Sequence, residues 1–162
     1  MMKHSILIVL CCFFYGCTLI TTQTTNTAAE INAKLALAYL VQHDAEKGKA
    51  KLLLAQKQAP DDPAVWYISG YFLEQTGDHT AANQSYLTAI ALAPHLGAAQ
   101  NNYGTFLCRR GQYSAAITHF LLATQDPNYL NTTHAYENAG QCALKIPNQS
   151  LANKYFQLAK HR

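Results

Sequence analysis

Residues 67–82 read YISGYFLEQTGDHTAA and residues 101–116 read NNYGTFLCRRGQYSAA, with glycines and alanines at matching places. The offset between the two stretches is 34 residues (101 − 67). It also relates six pairs of positions, which are Pro60 and Pro94, Gly70 and Gly104, Gly77 and Gly111, Ala82 and Ala116, Tyr86 and Phe120, and Ala89 and Ala123. Self-similarity at a fixed period is the signature of stacked supersecondary units. The sequence therefore predicts a repeat protein.

The residues that begin and end helices are placed as in a helical hairpin. In the second unit Pro63 opens helix A, Gly77-Asp78 makes the inner turn and Pro94 ends helix B. A hairpin unit of this length is the tetratricopeptide repeat (TPR). We expect an all-α fold, a right-handed superhelix of about four TPR hairpins. The predicted repeats cover residues 29–62, 63–96, 97–130 and 133–162, within one TPR domain at 29–162.

The concave face of such a stack suits the capture of another polypeptide, and helix A of each repeat lines that face. The expected lining is Ala33, Leu37, Leu40, Val41, Tyr67, Tyr71, Glu74, Asn101, Asn102, Thr105, Arg109, Glu137, Asn138, Gln141 and Lys145. The predicted partner-binding groove consists of Leu37, Leu40, Val41, Tyr67, Tyr71, Asn101, Asn102, Thr105 and Asn138. This lining changes from apolar to amide-rich, which suits an extended or helical peptide. In an alternative reading, the apolar side chains of the first repeat pack on the returning N-terminal tether.

The N-terminus has the features of a secretory signal over residues 1–16. A short basic start, Met1–His4, precedes the unbroken apolar run Ile6–Phe14, and Gly16-Cys17 follows at the expected cleavage point. Residues 17–28 are rich in threonine and lack apolar periodicity, so we expect a lipidated Cys17 on an unfolded tether. In the alternative, the signal is an ordinary cleaved one and Cys17 is incidental.

The charge distribution and the spacing of reactive residues argue against catalysis, metal binding and nucleic-acid binding. The net charge of +3 comes from scattered basic residues, which disfavours nucleic acid as a partner. Histidines do not occur at metal-ligand spacing, and no catalytic constellation is visible, so we expect no enzyme activity, no metal site and no cofactor. Cys108 and Cys142 fall at different positions of adjacent repeats, and we expect two small buried thiols rather than a disulfide.

Several stretches together resemble a known family. They are Asn101–Cys108, Arg110–Tyr113 with Ala116, Glu137–Gly140, Ala152–Phe156 and Leu35–Leu40. The resemblance is to the type IV pilus biogenesis and stability lipoproteins of the PilF/PilW family, and it covers roughly residues 30 to 160. Phe14-Tyr15-Gly16-Cys17 resembles a lipobox in its last two positions, and Thr18 is not the aspartate that retains lipoproteins at the inner membrane.

The resemblance implies a pilotin. Such a protein is held by a lipid anchor in the outer membrane, on the periplasmic face, and binds the secretin subunit of the type IV pilus. It promotes localisation and multimerisation of the secretin, without a cofactor, a small-molecule substrate or nucleic acid. Two alternative functions remain open. One is a general TPR scaffold that serves another envelope assembly or secretion system. The other is a hydrolase, which would need a cluster of His, Cys or acidic side chains in a pocket.

Overall fold

The computed structural model describes residues 16–161, with side chains from residue 27 onward. This part of the chain contains α-helices and no strand. The eight helices are α1 (Gly16–Val41), α2 (Ala45–Gln58), α3 (Pro63–Gln75), α4 (His79–Leu92), α5 (Gly97–Arg109), α6 (Tyr113–Ala123), α7 (Thr132–Ala143) and α8 (Gln149–Lys160). Successive pairs pack as hairpins, so the predicted all-α stack of four TPR hairpins is confirmed.

Short polar side chains fix the starts of several helices. Asp44, Asp62, Asp78 and Asn148 precede α2, α3, α4 and α8, and each accepts a hydrogen bond from a backbone N–H of the first turn. These amides have no partner inside the helix, so the caps stabilise the helix starts. The inner turns of three hairpins and one outer connection are thereby fixed locally.

The inner turns of the first three hairpins each contain a residue with a left-handed backbone. Gly77 and Gly111 occupy this position with φ of 88° and 78°, which glycine adopts without steric cost. In the first hairpin His43 takes the same role with φ of 60°. The first repeat therefore keeps the turn geometry without the glycine that marks it in the sequence.

Glycines at the middle of three A helices allow close approach of the paired B helix. A Cβ on Gly70 would lie 2.8 Å from the ring of Tyr86, and a Cβ on Gly104 would lie 2.9 Å from the ring of Phe120. The same relation joins Gly140 to Phe156. The three glycines therefore let the two helices of each hairpin pack closely around an aromatic ring of the B helix. Trp66, on the same helix as Gly70, is only half-buried and donates its Nε1–H to the carbonyl of Pro60, at 2.6 Å.

The contacts between hairpins explain the curvature of the stack. Helices α1, α3, α5 and α7 each pack on the next of their series, whereas the even-numbered helices pack only on odd-numbered ones. Among the described helices, the odd series is therefore the inner, more closely spaced layer. This layer forms the concave face, as the sequence predicts for helix A.

The threonine-rich stretch is helical where we expected an unfolded tether. Helix α1 begins at Gly16, so the backbone of residues 17–28 continues the helix that packs in the first hairpin. Once Ala29, Ala33 and Ala36 hold the packed part of α1 in the core, each further residue adds one backbone hydrogen bond to an existing nucleus. Threonine is a mediocre helix former but does not break a helix.

The predicted signal covers residues 1–16, of which residues 1–15 lie outside the described residues. Between residues 16 and 161, no helix combines the length and the apolar character that crossing a bilayer requires.

Candidate peptide-binding groove

The first repeat contributes partly exposed apolar side chains to the concave layer. Leu37 and Leu40 are half-buried against the cluster of Ala36, Leu52 and Phe72, and Val41 is strongly exposed at the end of α1. Ala33, which we also expected in the lining, is wholly buried. Its side chain belongs to the core because the first two hairpins close over it with Val65 and Ile68.

Two tyrosines of α3 lie one turn apart along the groove. Tyr67 is half-buried between the core of the first two repeats and the larger core of the later repeats. Burial raises the pKa of its hydroxyl, and the nearby carboxylates of Glu30 and Asp62 act in the same direction. Tyr71 is exposed, so the pair offers an aromatic surface with hydroxyl groups that can donate hydrogen bonds.

Glu74 on α3 and Arg109 on α5 form an ion pair that connects the two helices. Arg109 Nε donates to Glu74 Oε1 at 2.6 Å, and Arg109 Nη2 donates to Oε2 at 2.8 Å. The hydroxyl of Tyr86 donates to the same carboxylate at 3.4 Å, and burial raises the pKa of that hydroxyl. The hydrogen bond to Glu74 is also the main reason that the pKa of Arg109 is raised. Glu74 was expected to line the groove, but it is buried and its charge is satisfied within the stack.

Amide side chains connect α5 to α7 in the third and fourth repeats. Asn138 Nδ2 donates to Asn101 Oδ1 at 3.0 Å. Asn102 donates to the carbonyl of Ala98, and Thr105 donates to the carbonyl of Asn101, so both side chains bond to their own helix. Each amide of the cross-helix pair keeps a further donor or acceptor. All four side chains are partly exposed, which leaves those groups available to a peptide backbone.

A disulfide joins the same two helices, contrary to the sequence-based expectation. Cys108 and Cys142 are bonded, with a Cα–Cα distance of 5.9 Å. They do fall at different positions within their repeats, but adjacent A helices meet through opposite sides. A contact across that interface therefore needs different positions. The equivalent glycines Gly104 and Gly140 are 36 residues apart, so the cysteine separation of 34 residues places the two cysteines two positions apart in the repeat.

The connection between α6 and α7 folds back on the start of α5. Asp126 Oδ2 accepts from Gly97 N–H at 2.8 Å, and Asp126 Oδ1 accepts from Asn128 N–H at 2.9 Å. These backbone hydrogen bonds lower the pKa of Asp126. Tyr129 packs directly on Gly97, where a Cβ would lie 2.5 Å from the Tyr129 side chain. The connection therefore caps α5 across the repeat boundary, which supports the adjacent end of the groove.

The described residues contain no cluster of metal-ligating side chains. Between residues 16 and 161, no three His, Cys, Asp or Glu side chains come close enough to hold a metal ion. Two open cavities near the hairpin turns have volumes of about 400 and 470 Å³. Their linings bring together no two of these residue types; His79 is the one such side chain, in the larger cavity. The geometry offers an extended surface for recognition.

Comparisons with known proteins agree with this architecture. No protein-family model matches the chain. An uncharacterized protein of Haemophilus influenzae is 32% identical over 118 residues, which cover 73% of this chain and 66% of that protein.

Among solved structures, PilF of Pseudomonas aeruginosa superposes with a TM-score of 0.78 at 25% identity, over 85% of this chain and 62% of PilF. PilW, described as a widely conserved type IV pilus biogenesis factor, gives 0.76 at 26% identity, over 82% of this chain and 61% of PilW. The chain thus spans less than two thirds of each of these three proteins.

MamA shares the fold, with a TM-score of 0.68 at 19% identity, over 88% of this chain and 82% of MamA. The solved neighbours thus share the TPR fold of this chain, and one of them, PilW, is described as a type IV pilus biogenesis factor.

Proposed function

We propose that this protein is a non-enzymatic, lipid-anchored pilotin of the outer membrane. It binds the secretin subunit of the type IV pilus through the concave groove and promotes localisation and multimerisation of the secretin. The observation that carries the proposal is the superposition on PilF and PilW over more than four fifths of the chain. The groove supports it, because its aromatic and amide side chains are exposed on an otherwise well-packed stack.

The groove favours a partner segment with little net charge. The charged pairs Glu30–Lys34 and Glu74–Arg109 are neutralised within the protein. The exposed Tyr71 and the half-exposed Asn101 and Asn138 offer apolar contact and hydrogen bonds instead. Such groups recognise the backbone and apolar side chains of a peptide.

The anchor and the groove would act together. A lipid on Cys17 would confine the protein to the membrane in which the secretin must insert. The second encounter then takes place at a high effective concentration. Mass spectrometry of the mature N-terminus tests the anchor directly, because acylation adds a diacylglyceryl mass to Cys17. An unmodified terminus would refute this part of the proposal and leave the groove untouched.

Deletion of the gene tests the function. The proposal expects fewer secretin multimers and fewer surface pili, with restoration by the wild-type gene. Normal multimers and normal pili in the deletion strain would favour the alternative, a general TPR scaffold for another envelope assembly. MamA shows that the same fold occurs outside the PilF and PilW pair, at an identity that supports the fold alone.

Groove variants connect the function to the surface. We expect Val41→Asp, Tyr71→Ala and Asn101→Ala each to weaken capture of the purified secretin subunit by about threefold to tenfold, since each removes an exposed contact. Leu87→Ala is the control matched to Tyr71, because Leu87 is 40% exposed, close to the 36% of Tyr71, and lies on α4, outside the concave layer. Equal loss in the control, or full capture by all three folded groove variants, would contradict the placement of the site.

A further inference from the structure

Arg109 carries hydrogen-bond donors that the stack leaves unused. A guanidinium has five N–H donors. Two of them, on Nε and Nη2, donate to the carboxylate of Glu74 at 2.6 and 2.8 Å, which leaves two on Nη1 and one on Nη2. In the part of the chain that the structure describes, no residue accepts a hydrogen bond from these remaining donors.

The ion pair fixes the direction of the unused donors. The N–H groups that Glu74 occupies lie along one edge of the planar guanidinium, and the other N–H of Nη2 lies parallel to one N–H of Nη1 along the adjacent edge. The Glu74 side chain is 6% exposed and the Arg109 side chain is 47% exposed. A buried carboxylate therefore holds one edge of the guanidinium, and solvent reaches the other.

Arg109 continues a strip of groove residues along α5. Asn101, Thr105 and Arg109 follow one another at intervals of four residues, which places them on one face of the helix. On α3, Tyr71 is one turn from Glu74, which meets this strip. The hydrogen bond to Glu74 is the main reason that the pKa of Arg109 is raised, and the nearby Tyr71 acts in the same direction. The free edge of Arg109 therefore lies beside the exposed tyrosine of the groove.

The charges around Arg109 favour a neutral hydrogen-bond acceptor. Glu74 already balances the charge of the guanidinium and is buried behind it. A carboxylate from a partner would bring a second negative charge to the same guanidinium, and like charges at one site are unfavourable. A carbonyl oxygen accepts from the free edge without adding a charge, and every residue of a polypeptide carries one.

We infer that the free edge of Arg109 donates to a backbone carbonyl of the polypeptide bound in the groove. The contact rests on the proposed function, because it belongs to the same groove and the same partner. It extends the polar recognition surface from Asn101 to the last residue of α5, which are eight residues and about 12 Å apart. Arg109 is thereby added to the groove residues that the sequence predicts.

Capture of the purified secretin subunit by Arg109→Lys tests this contact. Lysine keeps a positive charge beside Glu74 but lacks the planar fork of donors. We expect the affinity to fall about tenfold, with only a small decrease in Tm because an ion pair remains.

Arg110→Lys is the matched control. Arg110 is the next residue, is also exposed, and lines the cavity beside His79 and Asn83 at the start of α4 instead of the groove. We expect this control to capture the secretin subunit as the wild type does.

The double variant of Glu74→Gln with Arg109→Met identifies the class of acceptor. It removes the guanidinium and leaves no charge unpaired. With a carbonyl as the acceptor, the wild type should bind about tenfold more tightly than the double variant at both low and high salt. With a carboxylate as the acceptor, that ratio should fall as the salt concentration rises, because salt screens exposed charges.

Three results would overturn the inference. They are full capture by folded Arg109→Lys, an equal loss in Arg110→Lys, and an affinity ratio that falls with salt. If Val41→Asp and Tyr71→Ala weaken capture while Arg109→Lys does not, the Arg109 contact is wrong and the proposed function stands. An absence of capture by the wild-type protein would refute the proposed function and the contact together.

Discussion

The ion pair of Glu74 and Arg109 joins a buried side chain to an exposed one, and we therefore expect the two residues to contribute unequally to stability. The Glu74 side chain is 6% exposed and the Arg109 side chain is 47% exposed. Arg109→Met therefore leaves a buried carboxylate with only the 3.4 Å hydrogen bond from Tyr86. Glu74→Gln instead leaves a guanidinium that already reaches water, and the glutamine oxygen can still accept a hydrogen bond.

The expected loss in unfolding free energy for each variant follows from how deeply the remaining charged group is buried. Removing one partner of a fully buried pair costs about 3–5 kcal/mol. Water reaches this pair on the arginine side, so we expect about 2 kcal/mol for Arg109→Met. For Glu74→Gln we expect about 1 kcal/mol. In thermal unfolding these losses correspond to decreases in Tm of about 8 °C and 4 °C.

Urea unfolding followed by circular dichroism gives the two free energies and their coupling. In the double variant no charge stays unpaired, so its cost should be clearly below the sum of the two single costs. A cost for Glu74→Gln equal to or above that of Arg109→Met would refute the reasoning from burial. Additive costs would show that the two side chains do not act as a pair.

Three further predictions concern the interior of the stack. Gly70→Ala should cost about 1–3 kcal/mol in thermal unfolding, because its Cβ would lie 2.8 Å from the Tyr86 ring, and an unchanged Tm would contradict that packing. Removing the bridge by Cys108→Ala with Cys142→Ala should cost about 3–4 kcal/mol in urea unfolding, from the 34-residue separation that it closes; a wild-type stability insensitive to reductant would count against the bridge. Burial lowers the pKa of His119, so the stability from its neutral ring is full above about pH 6.5 and is lost as the pH falls through the folded-state pKa. His119→Gln should reduce that acid-side slope in a pH series of unfolding free energies, and an unchanged slope would be the contrary result.

The architecture could be predicted from the sequence because the repeat period marks the positions where helix backbones pack closely. Gly70 and Gly104 recur where a B-helix ring must approach helix A, and each meets that ring in the structure. The period also places helix A on one side of every hairpin, so most of the expected lining lies on the concave layer. The expectation that Ala33 lines the groove was wrong. The period gives the position of a residue in its repeat, but it does not give the depth to which neighbouring hairpins bury that residue.

Contacts between repeats were harder to predict than contacts within a repeat. The pairing of Glu74 with Arg109 and of Cys108 with Cys142 joins positions that are not equivalent in the repeat. Such pairs depend on the rotation between adjacent hairpins, which the period alone does not determine. The irregular connection of residues 124–131 is a similar case, since Asp126 caps α5 across 29 residues.

These lateral contacts bear on how the groove could bind. The ion pair ties α3 to α5, and the disulfide together with the Asn101–Asn138 hydrogen bond ties α5 to α7. The helices that carry the tyrosine and amide positions are thus held in fixed relation before any partner arrives. A surface fixed in advance loses less conformational entropy on binding, so more of each contact appears as affinity. Reduction of the disulfide should therefore weaken capture of a segment bound near Asn138 more than capture of one bound near Val41.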